Sequence, residues 1–190
     1  MSKGKGKKLV YVSESLVDEI SKISRARDTH VGKFVEDALR QAVTMTRDGQ
    51  DLAQVVDFYN VMRAHRVLGG AFIPSSILDF MVENLWKEKQ EQLLECFYES
   101  GKWYGIYLKD KYAEPVEALE PFLKLTRWEL NDVEVKDWGN NVKVRCVSTV
   151  LTNEGTLLLS RFLEGLMHAL GYKTEKVDCL KGLIILESKK

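Results

Sequence analysis

Residues 8 to 12, KLVYV, form a β-branched and aromatic run that reads as one short strand, and no partner for it occurs before about residue 132. That isolation constrains the opening of the chain more than any other feature. A lone strand cannot satisfy its backbone polar groups in a buried setting. Two short amphipathic helices follow it, and they bury too little surface to fold alone. Ser13 stands as N-cap of the first, with Val12 and Val17 at the positions of a hydrophobic staple. SESLVDEISKISRA places Leu16, Ile20 and Ile23 on one face. Arg27 and Asp28 break the pattern, and Thr29 reads as a second N-cap. The helix after it, running to about Thr46, carries Val31, Phe34, Val35, Ala38, Leu39, Ala42 and Val43 as a continuous stripe. Symmetry is the simplest remedy: two copies pair their strands antiparallel and merge their stripes, giving a two-stranded ribbon on four helices.

The segment KLVYVSESLVDEISKISRARDTHVGKFVEDALRQAV resembles the ribbon-helix-helix class of DNA-binding domains (the Arc/MetJ class) over residues 7 to 44. The matching features are a strand running directly into SES-L, apolar residues at Leu16, Ile20 and Ile23, a short break, and FVEDALRQAV. The resemblance implies an intertwined homodimer whose ribbon enters the major groove of double-stranded DNA. It also implies that alternate strand positions face the groove. Counting back from Ser13, Val10 and Val12 point inward while Lys7, Leu9 and Tyr11 point outward. Base edges are read by hydrogen bonds, which Leu9 cannot make. The opposite register, with Lys8, Val10 and Val12 outward, therefore stays open, as does a ribbon that has lost base reading. The second helix begins with Thr29, His30, Val31, Gly32 and Lys33, and its first acid is Glu36. Such an N-terminus leaves free amides and a positive dipole end for an outside anion. The resemblance implies that this turn clamps a DNA phosphate.

Charge distribution agrees with that reading. Net charge is zero over the 190 residues, yet residues 1 to 50 hold ten Lys/Arg against seven Asp/Glu, and the remainder carries the balancing acids. Residues 1 to 7 read as a basic flexible arm, and Lys5, Lys7 and Lys8 are the expected phosphate contacts. No run of 18 apolar residues exists, so no membrane span is expected, and the N-terminus lacks a secretory apolar stretch. Three widely spaced cysteines argue for a reducing cytoplasm.

Catalytic and metal chemistry find little support. His30, His65 and His168 are scattered, no Cys/His pair has ligand spacing, and no phosphate-binding glycine loop occurs. Cys96 and Cys179 read as core thiols. The expectation is a protein that is not an enzyme and uses no metal or cofactor.

The natural boundary lies near residues 46 to 51, giving a ribbon-helix-helix domain over 8–46 and an α+β domain over 51–190. In the latter, DLAQVVDFYNVMRAHRVL reads as a helix ending at Gly69-Gly70. Pro74-Ser75-Ser76 opens another to about Trp86, and a third runs from about Gln90 to Asp110. Pro115 starts a fourth, to about Arg127. VEVKDW and NVKVRCVSTV flank Gly139-Asn140-Asn141 as a hairpin. Asn153 caps an apolar helix closed by Gly171, and TEKVDC and LIILES form a second hairpin. ECFYESGKWYGIYL, SRFLEGLMHALGY and EKVDCLKGLIILES resemble 4-vinyl-reductase-like domains, related to the TRAPP-subunit fold. That resemblance implies a sensing or dimerisation module, with a small apolar effector or a further copy as partner. The whole reads as an α+β transcriptional regulator that is at least a homodimer. Two other readings stay open: a ribbon-helix-helix antitoxin and a dimeric protein-interaction scaffold.

Overall fold

The computed structural model describes residues 9–47, 49 and 51–190. Among these the chain is α+β, with six helices and one four-stranded antiparallel sheet. It divides into two compact units, residues 1–57 and 58–190.

The first unit holds α1 (Glu14–Ala26) and α2 (Val31–Arg47). The strand expected over residues 8 to 12 is not formed: Leu9 to Val12 lie in no strand, and Lys8 falls outside the described residues. A strand exists only through its ladder, and within one chain every described strand pairs inside the sheet formed by residues 132–189. Leu9, Val10, Tyr11 and Val12 therefore have no partner here. Ser13 is extended and its carbonyl accepts from Val17 N–H at 3.1 Å, but its hydroxyl makes no capping bond. Thr29 does not cap α2 either. Its hydroxyl donates to the Arg27 carbonyl at 3.1 Å, and the His30 carbonyl takes the first helical bond, from Phe34 N–H. The stripes of both helices lie uncovered, with Leu16, Ile23, Leu39 and Val43 at 47, 42, 55 and 53% exposure.

Of α3 (Leu52–Val67), the residues from Phe58 onward belong to the second unit, where Val61 and Ala64 enter the core. The two helices expected over 74–86 and 90–110 are one, α4 (Ser75–Lys111), kinked at Lys89. Nothing in WKEKQ resists helix formation, since every residue there is a fair or good helix former. The expected gap survives only as that kink. The Pro115 segment is a turn, in which Leu119 N–H donates to the Val116 carbonyl, and α5 (Leu119–Thr126) starts four residues later than Pro115.

Both hairpins form as expected: β1 (Asp132–Asp137) with β2 (Asn141–Val147), and β3 (Lys173–Leu180) with β4 (Leu183–Lys189). Sheet order is β1-β2-β4-β3, all antiparallel, with Val144 opposite both Val135 and Leu186. The chain passes from β2 to β3 through α6 (Asn153–Leu170). Thr152, not Asn153, caps α6, its hydroxyl oxygen accepting from Gly155 N–H at 3.0 Å. Alternation on β2 and β4 turns Val142, Val144, Cys146, Ile184 and Leu186 into the core, where they meet Phe162, Leu163 and Leu166 of α6. α4 and α6 pack backbone to backbone. A Cβ on Gly101 would collide with the Phe162 carbonyl, and one on Gly165 with the Tyr98 carbonyl.

Candidate nucleic-acid interface

The junction of α1 and α2 is built by a Schellman turn. Thr29 N–H reaches back to the Ser24 carbonyl at 2.9 Å, and Asp28 N–H to the Arg25 carbonyl at 3.2 Å. The residue between must adopt the left-handed conformation, and Asp28 does so at φ +49°. The same pair of bonds closes α6, from Tyr172 N–H to the Met167 carbonyl and from Gly171 N–H to the His168 carbonyl. There a glycine, Gly171 at φ +95°, holds the left-handed place. Asp tolerates this conformation better than most non-glycine residues, though at some strain.

The turn leaves a hollow of about 280 Å³ lined by Ser24, Arg25, Asp28, Thr29 and His30. α2 begins directly beyond it and has no acid in its first turn. Ser24 is 1% exposed, and its hydroxyl is buried with no hydrogen-bond partner. A buried hydroxyl left unpaired costs free energy that a bound polar group would recover. Ser24 and Arg25 thus line a hollow beside the positive end of a 17-residue helix. Asp28, an acid, lines the same hollow.

Of the residues singled out in sequence, Thr29 and His30 line this hollow, the first half-buried and the second exposed. Val31 is 38% exposed, Gly32 faces open space where a Cβ would stand, and Lys33 is exposed. Leu9 and Tyr11 are 81 and 91% exposed, against 69 and 45% for Val10 and Val12. Both pairs lie open in the single chain, so neither register is selected. Lys5, Lys7 and Lys8 lie outside the described residues.

Sequence reasoning missed Ser24 and Asp28. Ser24 stands four residues after Ile20, on the apolar stripe, where a serine is out of keeping. Asp28 occupies the place just past the Arg27 C-cap of α1, where a left-handed residue is wanted.

Neither a family model, nor a curated protein, nor a solved structure matches the chain.

Elsewhere in the molecule, Cys146 is buried and its thiol is pushed up to about 12, first by desolvation, which leaves it protonated and unreactive. Cys179 is half-buried and shifted upward, also by desolvation. Cys96 departs from expectation. It is exposed rather than in the core, because it falls one residue off the Leu93–Phe97 face of α4. Among the described residues no group of three or more His, Cys, Asp or Glu could hold a metal ion. No described helix is long and apolar enough to cross a membrane.

In the second unit His65 Nδ1 and the Tyr104 hydroxyl share a 2.8 Å hydrogen bond. Burial, and secondarily the charge of Arg127, hold the His65 imidazole below its ordinary value of 6.5. Its Nε2 is buried without a partner.

Proposed function

We propose that the chain is a DNA-binding regulator of transcription whose first 46 residues dimerise as a ribbon-helix-helix domain and grip duplex DNA. The observation that carries this reading is the hollow at the start of α2: an acid-free helix N-terminus beside Arg25. A phosphate is the anion that such a site fits. Two further features support it. The uncovered stripes of α1 and α2 are what each half of an intertwined dimer must present. Leu9 to Val12, unpaired in one chain, gain a ladder when two copies meet, and the basic residues Lys5, Lys7 and Lys8 precede them.

In this reading the protein works without catalysis in the cytoplasm, in keeping with its three free cysteines. The second unit serves oligomerisation or senses a small apolar effector. Such an effector must displace packed side chains, because Leu108, Leu119, Leu163 and Leu166 are each 0% exposed between helices and sheet. Native mass spectrometry before and after solvent extraction tests for a bound apolar species.

The near-complete exposure of Leu9 and Tyr11 favours a second reading, a dimeric scaffold whose ribbon binds protein. One experiment separates the two. The full chain is titrated onto random-sequence duplex DNA at low and at physiological salt, with mass measured by light scattering. Phosphate binding by a dimer weakens steeply as salt rises. No binding at low salt refutes the DNA reading and leaves the scaffold.

A further inference from the structure

The long helix α4 changes character at its kink. Beyond Lys89 its residues Gly101, Tyr104, Gly105 and Leu108 are buried. Before it, Ile77, Leu78, Phe80, Met81 and Leu85 are 50, 40, 66, 46 and 42% exposed, although all are large and apolar. Val82, on the other side of the helix, is buried, and Asp79 and Trp86 beside it are half-buried. At 100° per residue the five exposed side chains and Asn84 fill a continuous arc of about 160°. Asp79, Glu83 and Lys87 all lie outside that arc, and Glu88 alone closes its C-terminal end.

We propose that this arc of α4 binds a second copy of the same chain, the two helices crossing antiparallel about a two-fold axis at Met81. Two observations select that occupant. The first is charge. A two-fold contact sets the groups nearest the axis against their own copies, so any charge there faces its like. The arc is uncharged for a full turn on either side of Met81, and the crossing lays Ile77 over the partner's Leu85. The second is area. The five side chains leave roughly 500 Å² open per protomer, well over half of the roughly 800 Å² that each partner buries in a standard interface. Polar groups around the patch, with Glu88 at its C-terminal end, supply the remainder. This contact is independent of the ribbon and of DNA binding.

The test uses the full chain with the exposed thiol removed (Cys96→Ser). Under mild oxidation Met81→Cys forms a disulfide-linked dimer, because two-fold related residues at the axis fall within bridging distance. Glu83→Cys, two residues away and off the arc, is the control and links at least tenfold more slowly. Equal rates at the two positions overturn the proposal; coverage of this face by another protein, or by another segment of the chain, would give that result. A second measurement stands if the cysteine variant does not fold. Leu39→Glu weakens the stripe of α2, and light scattering then compares this variant with Leu39→Glu/Met81→Glu. A mass that halves on adding Met81→Glu supports the contact, and an unchanged mass overturns it.

Discussion

Asp28 performs two tasks that pull against each other, and replacing it by Asn separates them. Its backbone holds the left-handed place of the turn between α1 and α2, at φ +49°. Asn occupies that conformation about as readily as Asp, so the fold of Asp28→Asn should be preserved. As an acid Asp28 also lines the hollow assigned to a DNA phosphate. For a phosphate held roughly 7 Å from its carboxylate, their repulsion in water-like surroundings is about 0.6 kcal/mol. A dimer carries the pair twice, and about 1.2 kcal/mol corresponds to roughly sevenfold tighter binding at low ionic strength. At 0.15 M salt the 8 Å screening length cuts the gain to about 0.5 kcal/mol, or roughly twofold. The assay is fluorescence anisotropy with a labelled random-sequence duplex across a salt series, with thermal unfolding measured in parallel. Asp28→Asn should gain most at low salt and show the steeper salt dependence. Equal or weaker binding at low salt, with the melting temperature unchanged, refutes the placement of a phosphate in this hollow. Absence of binding by both proteins refutes the DNA reading itself.

Three further outcomes follow from the geometry. Gly165→Ala sets a methyl group against the Tyr98 carbonyl in the α4–α6 crossing. It should cost about 2 kcal/mol or more and lower the melting temperature by several degrees, and a melting curve unchanged within a degree would show the helices able to part. Because His65 is held below 6.5 when folded, the unfolded chain takes up the proton first. Stability should be full above pH 6.5 and fall as pH drops below it toward the lower folded value; His65→Gln should flatten urea midpoints between pH 7 and 5. Tyr11→Ala should alter the sequences selected from a random pool if the ring lies in the groove. If the dimer dissociates instead, the ring faces inward.

How much of this could be read from sequence differs by element. Both hairpins, α6 and its Gly171 terminus rest on local signals, namely alternation, a turn glycine and helical spacing, and each forms where those signals lie. The strand expected at residues 8 to 12 carries an equally good local signal, yet Leu9 to Val12 form none, because no described strand pairs with them. Caps are settled by atoms rather than residue types: Thr152 wins over Asn153, and the Thr29 hydroxyl turns back to Arg27. The gap expected before Gln90 reflects an interruption in the apolar pattern, to which the backbone of α4 responds only with one distorted residue. In the candidate site, the acid-free start of α2 was legible as charge pattern. Ser24 was not, since burial without a partner depends on how α1 and the turn fold back on each other.

The kink at Lys89 gives α4 the mechanics of a crank. The 14 residues from Ser75 to Glu88 form a rigid arm about 21 Å long. Past the kink, the glycine contacts with α6 clamp the same helix against the sheet-bearing core. Turning the arm by about 10° at that one residue carries Ser75 about 4 Å while no hydrogen bond elsewhere in the helix need break. A small turn at Lys89 would therefore emerge at Ser75 as a displacement the size of a side chain.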